Sequence, residues 1–266
     1  MAKKGSPKVV AALADCLKKD KFWGTAATCA EGLAKTGGKA ALDALVAGAG
    51  HKEARVRRAV ANALGGFTRK PEALAALKTL AADESWHVQG DALRAIGSLR
   101  LPESRGILES RLDDKSWHDA VAAGALDGLG RLKDVSLLPV FEKWMGVGHS
   151  IYARDAALVA YARAAESKDG AYDPLVLILE TETDHYVVRA VMDALRTLGD
   201  PRAIPSLSRL LARLPEGSAT RVKDAINDIR EGKKSRLEEL SGQVDEFSRK
   251  LEKLEKRLDD AEKKKG

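Results

Sequence analysis

One pattern recurs along this chain and leaves little choice of fold. A short turn leads into a polar or aromatic start, then into a run rich in small residues ending near A-L-x-x-L-G. It reads ANALGGF at 61–67, DALRAIGSL at 91–99, GALDGLGRL at 124–132, AALVAYARA at 156–164 and MDALRTLG at 192–199. Aligning the last large apolar residue gives Leu33, Leu64, Ile96, Leu129, Tyr161, Leu198 and Ile229, with separations of 31, 32, 33, 32, 37 and 31 residues. The one long separation coincides with ESKDGAYDP, a polar, glycine-containing stretch that reads as an enlarged loop.

Between these runs lies a second amphipathic segment. Its apolar residues keep helical spacing: Leu74 and Leu77; Ile107, Leu108 and Leu112; Leu137, Leu138 and Phe141; Ile204, Leu207 and Leu211. Gly37-Gly38, Lys70-Pro71, Leu101-Pro102 and Gly199-Asp200-Pro201 punctuate the segments, with glycine after a helix end and proline at a helix start. Each unit is therefore a helical hairpin that cannot bury its apolar face alone, so neighbours must stack. The expected architecture is all-α: a right-handed α-α superhelix of about seven hairpins over residues 1–232. Small residues on the first helices (Ala59, Ala61, Ala63; Ala122, Ala123, Gly124, Ala125) let successive helices approach at the short end of the usual 8–10 Å or so.

The unit x-V-R-x-x-A-x-x-A-L-G resembles a HEAT repeat, including the phycocyanobilin-lyase-like variety. The segments that carry the likeness are RVRRAVANALG at 55–65, YARDAALVAYA at 152–162 and YVVRAVMDALRTLG at 186–199. The resemblance places Arg57, Arg154 and Arg189 at the repeat's usual arginine. Gln89 departs from it, which puts a break in the polar ladder there. A narrower resemblance over about 6–232 is to the C-terminal helical region of bacterial zinc aminopeptidases of the aminopeptidase N class. It rests on FWG at 22–24, DESWHVQGDALRAIG at 83–97, DDKSWHDAVAAGALDGLG at 113–130 and LGDPRAIPSLSRL at 198–210. That resemblance implies a non-catalytic part or relative of such an enzyme, because the H-E-x-x-H zinc motif is absent and no His-Glu dipeptide occurs.

Candidate chemistry is sparse. His51, His87, His118, His149 and His185 sit mostly near repeat starts, too far apart along the stack for three or four to share a zinc ion with ligand distances of about 2.0–2.3 Å. Trp86 and Trp117 follow Ser85 and Ser116, which reads as a helix N-cap followed by an aromatic covering the next repeat. Acidic and basic residues interleave, and the net charge of +6 is modest for 266 residues, which favours solubility over a polyanionic partner. Cys16 and Cys29 suit small apolar sites in helices, so no disulfide is expected and a reducing, cytoplasmic setting fits. No catalytic residue, cofactor or metal is assigned, and no segment is apolar enough to span a membrane.

Beyond Gly232 the pattern changes. Leu237, Leu240, Val244, Phe247, Leu251, Leu254 and Leu258 alternate three and four apart, the a/d seam of a coiled coil. With Leu237 at a, Lys250 faces Glu255 and Arg257 faces Glu262 in a parallel pair, so residues 233–266 are expected to form a coiled-coil helix and a homodimer. The expected function is a non-catalytic scaffold holding a protein or peptide on a concave face lined by second helices. A nucleic-acid-binding protein and a bilin-lyase-like protein are the alternatives.

Overall fold

A computed structural model describes residues 6–165, 170–214 and 219–232. The proposed coiled-coil seam, 233–266, lies outside them. The chain divides into two units, Met1–Leu198 and Gly199–Gly266.

The first unit contains α1 (Pro7–Lys19), α2 (Trp23–Thr36), α3 (Gly38–Gly48), α4 (Ala54–Leu64), α5 (Pro71–Leu80), α6 (Trp86–Leu99), α7 (Ser104–Glu109), α8 (Ala120–Arg131), α9 (Leu138–Met145), α10 (Ile151–Ala164), α11 (Asp173–Thr181) and α12 (His185–Leu198). The even-numbered helices pack on one another in sequence and form the first layer. The odd-numbered helices form the second, each against its neighbours in the hairpin. Val56, Val60 and Leu64 of α4, Val88, Leu93 and Ile96 of α6, and Val121, Leu126 and Leu129 of α8 are all buried between the layers. This stripe is the core that the repeat pattern requires. In the second unit, α13 (Ile204–Arg213) buries Leu207, and the helical stretch 220–232 buries Val222, Ala225, Ile226 and Ile229.

Glycines bring the first-layer helices closest where α6 meets α8. A Cβ on Gly90 would lie 2.8 Å from the Ala120 carbonyl oxygen, and one on Gly128 would lie 2.7 Å from that of Leu93. A Cβ on Gly97 would land on the Gly128 backbone, and one on Gly124 on that of Gly90. Gly130 meets α10 in the same way, with Ala160 Cα 2.6 Å from its added Cβ. Backbones in such contact gain dispersion energy on both sides and leave no room for a side chain.

A buried arginine ties successive repeats together. Arg57 donates from Nε to Asp83 Oδ2 (2.6 Å) and from Nη2 to Asp83 Oδ1 (2.9 Å), while Nη1 donates to the carbonyls of His51 and Lys52. Asp83 also accepts from the Ser85 N–H (2.9 Å) and so starts α6. Arg154 repeats the device, donating to the Met145 carbonyl (2.9 Å) and to Glu182, which in turn accepts from the N–H groups of Thr183 and Asp184. At Gln89 the expected break is filled from elsewhere. Its amide donates to the Asp83 carbonyl and accepts from Arg111, whose guanidinium also reaches the Ala81 carbonyl (2.8 Å).

Arg189 does not belong to this series. Val187 is buried like Val56, Val88, Val121 and Ala153, so Val188 holds the place of Arg57 and Arg154, and Arg189 that of Arg58. In that register Leu195, fully buried, replaces Leu198 as the aligned residue. Packing decided between two frames because Val187-Val188 can place either valine inward.

The two cysteines also depart from expectation. α1 and α2 form a hairpin that sets Cys16 and Cys29 6.2 Å apart at Cα, and the two are disulfide-bonded. That spacing lies within the usual reach of such a bond, and the ground for inferring a reducing compartment falls away. Without reductant, intact-mass analysis after iodoacetamide is expected to show neither cysteine alkylated. With reductant the first hairpin is expected to lose about 3 kcal/mol, the loop-closure value for a separation of 13 residues.

Candidate functional site

An aspartate starts several of the first-layer helices. Asp20 accepts from the Phe22 N–H (2.8 Å), Asp83 from that of Ser85 and Asp184 from that of Tyr186 (2.8 Å). The serines expected to cap differ from one another. Ser85 makes no side-chain cap bond, whereas Ser116 Oγ accepts from the Val121 N–H (3.1 Å). Trp23, Trp86 and Tyr186 sit in the first helical turn and Trp117 in a short 3-10 turn (Trp117–Asp119) just before α8, in each case ahead of the buried stripe that begins at Ala26, Val88, Val121 or Val187.

Those aromatics therefore stay outside. Trp86 is 47% and Trp117 56% exposed, and Trp23, Tyr152 and Tyr186 are exposed as well. This corrects the expectation that Trp86 and Trp117 cover the neighbouring repeat: both fall ahead of the inward stripe of their helices. Arg55 lies 4.7 Å over the Trp23 ring and Arg189 5.7 Å over that of Tyr186. The result is a row of large aromatics with arginines, about one per repeat, along one edge of the first layer.

The row is densest at its middle. Trp117 and His118 meet edge to face with centroids 4.0 Å apart, and His118 meets Tyr152 at 5.7 Å. His118 and Asp119 both take left-handed backbone, φ 50° and 54°, which costs non-glycine residues about 1–3 kcal/mol each. The next repeat braces this kink: the Ser150 N–H donates to Asp119 (2.9 Å) and the Ser150 hydroxyl to the His118 carbonyl (2.8 Å). Behind the aromatics opens a cleft of about 300 Å³, walled by Arg58, His87, Asp91, Arg94, Trp117, His118 and Tyr152 over a floor of Gly90, Ala120 and Ala123.

A chain of ion pairs runs out of this cleft across four helices. Arg58 Nε donates to Asp91 Oδ2 (2.7 Å), and Arg94 joins Asp91 Oδ1 (2.6 Å) to Asp127 Oδ2 (2.6 Å). Asp127 also pairs with Arg131 (3.1 Å) and Arg163. Burial pushes the Asp127 carboxyl up, but Arg131, Arg94 and Arg163 together outweigh it and hold it below the ordinary carboxylate range. Asp91 is buried, so the two arginines that neutralise it are anchored at the cleft wall.

The remaining histidines are dispersed. His51 accepts from the Glu53 N–H (3.1 Å), His149 stacks on Trp144 (4.1 Å) and His185 on Tyr186 (4.1 Å). Among the described residues no three or more His, Cys, Asp or Glu side chains are grouped as metal ligands, and no helix is long and apolar enough to cross a membrane. A larger cleft of about 770 Å³ lies at the ends of α1 and α3, beside Lys18, Lys19, Lys21 and Lys52. Cations at helix C-termini suit the carbonyl ends of the helix dipole and need no ligand to explain them.

Comparison with known proteins agrees with the helical geometry. The sequence matches the HEAT-repeat family over residues 10–88 and 77–162, more than half of its length. The chain belongs to the HEAT-repeat family. Residues 187–213 match the PBS lyase HEAT-like repeat. A search of curated proteins returns no match. Among solved structures, this HEAT-repeat chain is similar to one from the complex of CpcE and CpcF of phycocyanin lyase from Nostoc sp. PCC7120. The two share 19% identity over 86% of this chain and 97% of that one, with a TM-score of 0.55. It is also similar to human deoxyhypusine hydroxylase, with 20% identity over 84% and 85% of the two chains and a TM-score of 0.45. At these identities the likeness shows the fold alone.

Proposed function

We propose that this HEAT-repeat chain is a non-catalytic scaffold that docks a protein segment along the aromatic edge of its first helix layer. The observation that carries the reading is the row of exposed Trp and Tyr side chains at or just before the starts of α2, α6, α8, α10 and α12, with an arginine over Trp23 and over Tyr186. Trp, Tyr and Arg are the residue types that dominate binding energy at protein interfaces. In this reading docking falls on the first helices, whereas the sequence alone suggested a concave face lined by second helices. The structural relative in complex with a second protein, CpcE with CpcF, is consistent with the reading. Residues 233–266 are proposed to associate as a coiled coil, which light scattering of the full chain and of one ending at Gly232 tests. The resemblance to the zinc aminopeptidase helical region fits within the same reading, with the face bordering a catalytic domain carried elsewhere.

Panning a phage-displayed octapeptide library against the full chain tests the docking role. Selected peptides are expected to lose about 30-fold in affinity with Trp86→Ala or Trp117→Ala, the effect of one interface hot spot of about 2 kcal/mol. Peptides that bind both variants as tightly as the parent overturn the assignment. The PBS lyase HEAT-like match at 187–213 favours one second reading, a bilin-lyase-like protein. It predicts a visible absorbance band that stays with the chain on gel filtration after mixing with a bilin.

A further inference from the structure

We infer that the cleft beside Trp117 takes a carboxylate side chain, a Glu or Asp of an extended partner peptide, on the guanidinium of Arg58. The inference rests on the docking role proposed above and names the chemistry of one of its pockets.

Arg58 is the reason. Its Nε is fixed on buried Asp91, yet neither of its terminal nitrogens has a hydrogen-bond partner among the described residues. The side chain is about half exposed and lines the cleft. A guanidinium held by one nitrogen, with donors to spare, offers the geometry that binds a carboxylate. Arg94 stands beside it, anchored on Asp91 and Asp127. The ion pairs around the cleft set Arg58, Arg94, Arg131 and Arg163 against Asp91 and Asp127, and the charge of Asp155 interacts with that of Asp127. Trp117 and Tyr152 at the mouth supply flat apolar surface for the residue next to the carboxylate.

The same surface argues for an acidic peptide over a single-stranded nucleic acid, which also favours aromatics beside arginines. Asp83, Glu84, Asp119 and Asp184 lie in the turns next to the exposed aromatics. A continuous phosphate backbone along the row meets these carboxylates at successive repeats. One carboxylate placed in the cleft has only Asp119 of these beside it, and that side chain already accepts from the Ser150 N–H.

The probes are Ac-Phe-Glu-Phe-amide and its uncharged counterpart Ac-Phe-Gln-Phe-amide, titrated into the ¹⁵N-labelled full chain. The readouts are the indole N–H signals of Trp117 and of buried Trp144, the internal reference, with the Nε–H signal of Arg58. The Glu peptide is expected to shift Trp117 and Arg58 saturably, to leave Trp144 in place, and to bind about tenfold or more tightly than the Gln peptide, as a charge-assisted bond implies. Arg58→Ala is expected to bring the Glu peptide to the Gln level without moving Trp144. Arg58→Lys, which keeps charge but not the fork, is expected to fall between. Equal binding of the two peptides, a Glu preference that survives Arg58→Ala, or no saturable shift at Trp117 overturns the inference. Library peptides that need Trp86 but show no acidic preference leave the docking role intact and remove this pocket from it.

Discussion

Replacing Asp83 with alanine is expected to lower the stability of the helix stack by about 3–5 kcal/mol, the cost of leaving one partner of a buried ion pair uncompensated. For a domain of this size that corresponds to a fall in Tm of about 10 °C. Arg57 and Asp83 are both about nine-tenths covered, and Glu84, the second acid on Arg57, is too exposed to replace the lost charge. The substitution also removes the acceptor that starts α6 at the Ser85 N–H. Removing both charges, with Arg57→Met and Asp83→Ala together, is expected to recover part of the loss, since no charge is then stranded. The carbonyls of His51 and Lys52 lose their donor in that variant, so recovery is incomplete.

The same pair sets a pH dependence. Burial pushes the Asp83 carboxyl up, but the hydrogen bonds from Arg57 and Ser85 and the charge of Arg57 bring it below its ordinary value. For Glu182 the N–H of Asp184 leads, and the Arg154 and Thr183 donors add to it against burial. A carboxyl depressed on folding stabilises the fold fully above its unfolded pKa of about 4, and that contribution fades as pH falls through the lower folded value. Thermal stability is therefore expected to hold from pH 7 to about 5 and to fall steeply below 4, with Asp83→Ala showing a shallower fall than the parent.

Gly97→Ala is expected to be nearly as damaging, at about 3 kcal/mol. Its new methyl meets the Gly128 carbonyl, carbon and Cα together, and overpacking against backbone has no flexible side chain to absorb it. α6 and α8 must then separate, which loosens the buried seam of Ile96 and Leu129 as well. Gly106→Ala is the matched control: nothing lies within 4 Å of its added Cβ. There the gain in helix propensity, up to about 1 kcal/mol, is expected to leave Tm unchanged or raised.

The helix stack was legible because several levels of the sequence agree: a period in the low thirties, 3.6-residue apolar spacing, and glycine or proline at the joints. What went astray depended on which residues meet in space. Val187-Val188 offered two registers, and Arg189 was placed one position out until burial separated them. Cys16 and Cys29 look like ordinary small helix residues until the α1–α2 hairpin brings them together. The small residues of α4 and α8 announced close packing, but not that Gly97 of α6 and Gly124 of α8 touch backbone. For the exposed aromatics a signal was present and went unread. D-x-x-W occurs at 20–23, 83–86 and 114–117. At Asp20 and Asp83 the carboxylate accepts from the N–H two residues on, and the tryptophan then falls at the helix start, ahead of the residues that face the core. The cleft itself, with Arg58, Asp91 and Arg94 drawn from two helices, has no linear pattern to read.

Hydrogen–deuterium exchange of the full chain, with and without a library-selected octapeptide, tests the docking face most directly. Protection is predicted in residues 86–94 and 151–155, at the starts of α6 and α10, and in 117–123, across the turn that leads into α8. Protection confined to the second-layer helices α5, α7 and α9, with the first layer unchanged, would contradict it.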